Sequence, residues 1–179
     1  MIKKLLLGSL FFISVYTFAQ QEKKWSIETN YSLIPSEGLG GSNNILEFGI
    51  KYRFADFEFF NLGIGLNGGY FIGNNSVSIA DEQSNTSVFQ PRIFSEFNLP
   101  FSKKLKPHLG LGYSYVNVTS PSDISRGGFN FNFGISYDIS DRWFIQLQYD
   151  FINLTGQDLG NSSFEERLNN IKLGVGFRF

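Results

Sequence analysis

Three groups of residues in this chain could do chemistry. The first is His108, the only histidine among 179 residues. Nucleophilic catalysis would need it beside a Ser and a carboxylate, with the imidazole as general base. The second is Gly63-Ile-Gly65-Leu-Asn-Gly68, which matches the G-x-G-x-x-G spacing used to cradle a pyrophosphate. That chemistry requires a turn from strand into helix, with the phosphates at the helix N-terminus. The third is a set of five acids and five bases: Glu28, Glu47, Glu96, Asp138 and Asp150 against Lys51, Arg53, Arg92, Lys172 and Arg178. The chain has no Cys, so disulfides, thiolate metal sites and a Cys nucleophile are excluded. No acidic cluster has the spacing of a calcium loop. The formal charge of −1 leaves no basic footprint for nucleic acid.

The elements that carry these residues decide among the readings. Lys3 and Lys4 precede an apolar run, Leu5–Phe18, and Thr17 and Ala19 are small residues ahead of Gln20. That is the layout of a secretory signal peptide over residues 1–19, leaving a single domain over 20–179. From Trp25 onward the sequence reads with period 2 in eight runs: Trp25–Leu33, Leu46–Phe54, Phe60–Ile72, Phe89–Leu99, His108–Asn117, Phe129–Ile139, Trp143–Phe151 and Ile171–Phe179. One face of these runs has 44 positions, 39 of them apolar or aromatic; the other has 37, of which only Phe71, Phe94, Val116 and Phe144 are apolar. All ten charges named above fall on the polar face.

The runs match the nine to eleven residues with which a tilted strand crosses a bilayer. In lipid every backbone group must be paired internally, so such strands close into a barrel. The connections alternate strictly. Ala55–Phe59, Pro100–Pro107 and Ser140–Arg142 are short, whereas Ile34–Ile45, Gly73–Val88, Val118–Gly128 and Ile152–Asn170 are long. Short periplasmic turns and long extracellular loops are the habit of outer-membrane barrels. Aromatics collect at both run ends, with Trp25, Phe54, Phe60, Phe97, Tyr137 and Trp143 at one and Tyr31, Tyr70, Phe89, Tyr115, Phe129 and Tyr149 at the other. The expected fold is all-β, an eight-stranded antiparallel up-and-down transmembrane barrel with both termini periplasmic.

The chain resembles the small eight-stranded outer-membrane barrels of the outer-membrane protein A and X type, over Gln20–Phe179. The most specific match is Ile171-Lys-Leu-Gly-Val-Gly-Phe-Arg-Phe179, in which Leu173, Val175, Phe177 and Phe179 alternate to a C-terminal Phe. It resembles the signal read by the barrel-assembly machinery of Gram-negative-type envelopes. Ser140-Asp-Arg-Trp-Phe-Ile-Gln-Leu-Gln-Tyr-Asp150 resembles the family's turn into strand seven. The cell-wall-binding domain of larger members is not matched, so wall anchoring is not implied. The resemblance implies an outer-membrane location, membrane lipid as surroundings and the assembly machinery as a partner.

In this frame the glycine motif lies inside a strand and no cofactor is expected. His108 reads as an inward residue at the periplasmic rim. The charge network is expected to fill a lumen only wide enough for side chains. The leading function is non-enzymatic, structural or surface-interacting, with a polar plug. A narrow pore is the alternative, gated by ion pairs around Arg92 and Lys172 and helped by nine inward glycines: Gly49, Gly63, Gly65, Gly69, Gly110, Gly112, Gly134, Gly174 and Gly176. A lipid-modifying enzyme is third and needs a second catalytic group near His108. The long connections Gly38–Asn44, Gly73–Ser87, Thr119–Arg126 and Thr155–Asn169 are polar and suited to binding an extracellular ligand, because loops on rigid scaffolds carry recognition. Glu165-Glu166-Arg167 reads as a charged solvated loop.

Overall fold

The computed structural model describes residues 23–34, 36–38, 41–72, 85–119, 124–157 and 163–179. The expected signal peptide, residues 1–19, and the central parts of the expected long connections lie outside these residues. Among the described residues there is no helix.

The strands are β1 (Trp25–Ile34), β2 (Ser36–Gly38), β3 (Gly41–Asp56), β4 (Phe60–Ile72), β5 (Asn85–Phe97), β6 (Leu105–Thr119), β7 (Ile124–Asp138), β8 (Trp143–Gln157) and β9 (Ser163–Arg178). Short β2 pairs only with the start of β3. The other eight form a closed antiparallel barrel: each pairs with its neighbour, and β1 pairs with both β3 and β9. Closure leaves no unpaired strand edge, as a lipid environment requires. Trp25 N–H donates to Phe179 O and Phe179 N–H to Trp25 O, so both ends of the described chain meet at one end of the barrel. The turns 57–59, 98–104 and 139–142 lie at that same end.

Alternation decides which way each side chain points. Ile27, Phe48, Ile64, Ile93, Phe133, Leu147 and Leu173 are exposed on the outer wall. Glu28, Glu47, Arg92, Gln148 and Lys172 are buried in the lumen. The aromatics of the terminal end include Trp25 and Trp143 on the outer wall, packed against Tyr52 and Phe177 at centroid distances of 4.6 and 5.0 Å.

The strands run farther at the opposite end than the sequence reading expected. Ile152–Asn170 is not a long loop, because β8 continues to Gln157 and β9 begins at Ser163, with pairing out to Gln157↔Ser163. Glu165, Glu166 and Arg167 therefore lie on a strand rather than in a solvated loop. Likewise Gly41–Asn44 belong to β3, Asn85–Ser87 to β5, Val118–Thr119 to β6 and Ile124–Gly128 to β7. The physical reason is an inversion of pattern. Over most of each strand the apolar side chains face outward. Near this end Ile45, Val88, Val116, Ile152, Leu154 and Leu168 turn inward at 0–3% exposure, while Asn117, Thr155, Arg167 and Asn169 are exposed outside. Water outside the strands reverses the phase without ending the strand.

Candidate functional site

The lumen is where the charged side chains converge. Within the apolar band of the outer wall a strand can place a charge only on its inward positions, and the barrel curvature aims these at one another. Three ion-pair groups result. Lys51 Nζ lies 2.8 Å from Glu28 Oε2. Lys172 Nζ lies 2.5 Å from Glu47 Oε1 and 2.6 Å from Asp150 Oδ2, and Arg92 Nη2 reaches the same Asp150 oxygen at 2.7 Å. Arg53 Nη2 is 2.5 Å and Arg178 Nη2 is 3.1 Å from Glu96, and Arg178 also pairs with Asp138.

These contacts join distant strands. Around the barrel β5 and β9 are diametrically opposite, four strands apart in either direction. The Glu96–Arg178 pair therefore spans the full lumen. Arg92 on β5 and Asp150 on β8 bridge three strands. Each of the ten charges singled out in the sequence has an oppositely charged partner here. Such pairing is required of buried charges, since a lone ion in a dry interior costs several kcal/mol.

Neutral side chains complete the groups. Arg92 Nε donates to Asn130 Oδ1 at 3.0 Å and Arg92 Nη2 to Gln90 Oε1 at 2.8 Å. Ser114 Oγ accepts from both Gln90 and Asn130 at 2.8 and 2.9 Å. Gln148 Nε2 donates to Asp150 Oδ1 at 2.5 Å, and Gln146 Nε2 to Asn30 Oδ1 at 2.6 Å. Phe144 lies under the Arg178 guanidinium at 4.2 Å from its ring centroid, and Phe94 lies under Lys51 and Arg53 at 5.5 and 5.8 Å. Such stacking stabilises a desolvated cation. Lys106, which the sequence reading left in a connection, is on β6, 3.8 Å from Asp138. The sequence signal for Gln90, Asn130 and Gln148 was their place on the polar face. Their partners follow only from the register of the closed sheet.

The inward glycines are covered by their neighbours. A Cβ on Gly69 would stand 2.6 Å from Glu47 Cγ, one on Gly112 2.8 Å from Arg92 Cγ, and one on Gly134 2.7 Å from His108 Nε2. Gly63 and Gly176 lie beneath the Phe94 and Phe144 rings. Glycine here gives a long side chain on the adjacent strand room to lie flat across the wall. The motif Gly63–Gly68 sits within β4, which continues as strand to Ile72.

His108 is not a rim residue. It is on β6 opposite Glu96 and Gly134, only 6% exposed and on the lumen side of the wall. The barrel wall separates its ring from the lipid-facing surface. Leu173 and Val175 are exposed on the outer wall of β9, and Phe177 and Phe179 are half-buried beyond them. Among the described residues no group of three or more His, Cys, Asp or Glu side chains could hold a metal ion.

A family model described as outer membrane protein beta-barrel domain matches residues 5–179. The chain belongs to this family. Its place is accordingly the outer membrane. The N-terminal β-barrel domain of Pseudomonas aeruginosa OprF superposes with a TM-score of 0.61 at 17% identity, covering 87% of this chain and 96% of that one. Ail, the attachment invasion locus protein of Yersinia pestis, gives 0.56 at 12% identity over 87% and 97%. The outer membrane enzyme PagL gives 0.53 at 12% identity over 86% and 99%. At these identities the likeness is one of fold. No protein with a curated description matches the chain in sequence.

Proposed function

We propose that this family member is a sealed, non-enzymatic barrel: a rigid outer-membrane anchor that presents polar connections at the end away from its termini. The observation that carries this reading is the Glu96–Arg178 contact between diametrically opposite strands, with the apolar cluster of Ile45, Val88, Val116, Ile152, Leu154 and Leu168 filling the lumen at the other end. Two barriers of different chemistry in series leave little room for solute. Both termini face the periplasm, since the short turns share their end and the longer connections lie opposite. The exposed apolar band faces hydrocarbon.

Liposomes carrying the folded barrel are expected to exclude arabinose as well as empty liposomes do. Swelling in isotonic arabinose at the rate of a known porin would overturn the plug. The lumen-side position of His108 supports the non-enzymatic reading. His108→Ala should leave the envelope lipid profile unchanged, and a changed acyl pattern would move the chain to the lipid-modifying class. The outward row Leu173, Val175, Phe177 and Phe179 on the closing strand is proposed as the segment presented to the assembly machinery. Phe179→Ala should lower the assembled, heat-modifiable fraction in cells several-fold, against an unchanged fraction if the row has no such role.

A further inference from the structure

At the end that holds both termini a cavity of about 860 Å³ opens between the turns. That size falls within the ~300–1,000 Å³ of small-molecule sites. Its charge is one-sided. Lys103 and Lys104 come from the turn 98–104, Lys106 from the start of β6, Arg142 from the turn 139–142, and Lys23 from the residues before β1. Arg53 and Arg178 form the inner wall. Against these seven cations the lining holds two carboxylates, Asp138 and Asp141. The surplus of five positive charges contrasts with a chain whose overall balance is −1.

The inner cations are already engaged. Arg53 and Arg178 meet Glu96, and Arg178 and Lys106 share Asp138. Lys23 Nζ donates to the main-chain oxygen of Asp141 at 2.6 Å. Lys103, Lys104 and Arg142 differ: all three are exposed, and among the described residues none has an acidic partner. Asp141 stands at the same rim and offsets one of them. Like charges gathered in a concave site repel one another, and an anion bound among them removes that repulsion. Lysine ammonium groups are compact point charges suited to phosphate oxygens, and the Arg142 fork adds paired donors. The cavity also has an apolar shoulder, because Ile139 and Trp143 line it and are 57% and 51% exposed toward the outer wall.

We infer that this basic mouth is a binding site for a phosphate-bearing anion, held by Lys103, Lys104 and Arg142 over the neutralised floor of Arg178 and Asp138. The phosphate belongs either to a lipid headgroup of the adjoining leaflet, whose chains would lie along Trp143 and Ile139, or to a soluble phosphate compound.

The chain has two tryptophans, so Trp25→Phe leaves Trp143, on the wall of the site, as the only tryptophan to be excited selectively. This variant is titrated with inorganic pyrophosphate in phosphatidylcholine nanodiscs, at constant ionic strength near 0.15 M, where exposed charges beyond about 8 Å are screened. A saturable change in Trp143 emission is expected. Lys103→Ala, Lys104→Ala and Arg142→Ala together should weaken it by about tenfold or more, since charge-assisted hydrogen bonds to the anion are lost. Gel mobility before and after heating establishes that each variant is folded. The titration is repeated in nanodiscs that also contain phosphatidylglycerol. A several-fold weaker pyrophosphate response there assigns the site to the lipid headgroup, and an unchanged one assigns it to a soluble ligand. No saturable response, an equal response in the folded triple variant, or an equal response to polyglutamate of matched charge would each overturn the inference.

Discussion

Replacing Lys172 with methionine is expected to destabilise the folded barrel by about 3–5 kcal/mol, the usual cost of breaking a buried pair by removing one partner. The ammonium is fully buried and lies within 2.6 Å of carboxylates on two other strands. Methionine keeps most of the volume, so the loss reports charge rather than packing. The two carboxylates fare differently: Asp150 keeps Arg92, whereas Glu47 loses its one ion-pair partner among the described residues. Adding Glu47→Gln to Lys172→Met should therefore recover more than half of the loss. Partners in one network are not additive, and the recovery measures their coupling. Urea unfolding in lipid vesicles, followed by tryptophan fluorescence, reads the unaltered protein and both variants. A loss below about 1 kcal/mol for Lys172→Met, or a further loss on adding Glu47→Gln, would contradict the ion-pair account.

The second large effect concerns two leucines of one strand. Leu168 is completely buried in the lumen, opposite Ile152, and Leu173 is 49% exposed on the outer wall. Leu168→Ala leaves a cavity among Ile45, Val88, Val116, Ile152 and Leu154, with an expected cost of about 2–5 kcal/mol. Leu173→Ala leaves a gap that lipid chains refill, so only the transfer term is lost, at most about 2.4 kcal/mol for three carbons at ~0.8 kcal/mol each, with no cavity term added. The same urea series decides between them. Equal losses at the two sites would mean that the inward cluster is not close-packed.

Much of this was legible from residue order. A strand in a membrane tolerates charge on one face only, so the alternation of Phe129–Ile139 or Ile171–Phe179 revealed element, face and barrel together. The strand ends beyond Phe151 were not legible in that way. Past that residue Ile152 and Leu154 face inward and Asn153 and Thr155 outward, so a search for outward apolar residues stops too early. Pro107 interrupts the alternation and hides Lys106, although β6 begins at Leu105. Alternation sets the inward face of His108 but not its depth, since burial depends on the strands around it. The ion pairs were beyond reach of the sequence altogether. Arg178 and Glu96 are 82 positions apart, and only the register of the whole closed sheet brings them together. The basic mouth assembles from two turns and a chain end, and no single stretch of sequence carries it.

A sealed lumen should carry no current, which planar-bilayer conductance of the folded barrel, Gln20–Phe179, measures. Folding is first established by the heat-dependent gel shift. No discrete openings are expected from the folded protein under applied voltage. Steady unitary openings whose size changes with Arg92→Ala would contradict a sealed lumen and make the ion pairs of Arg92, Asp150 and Lys172 the constriction of a pore.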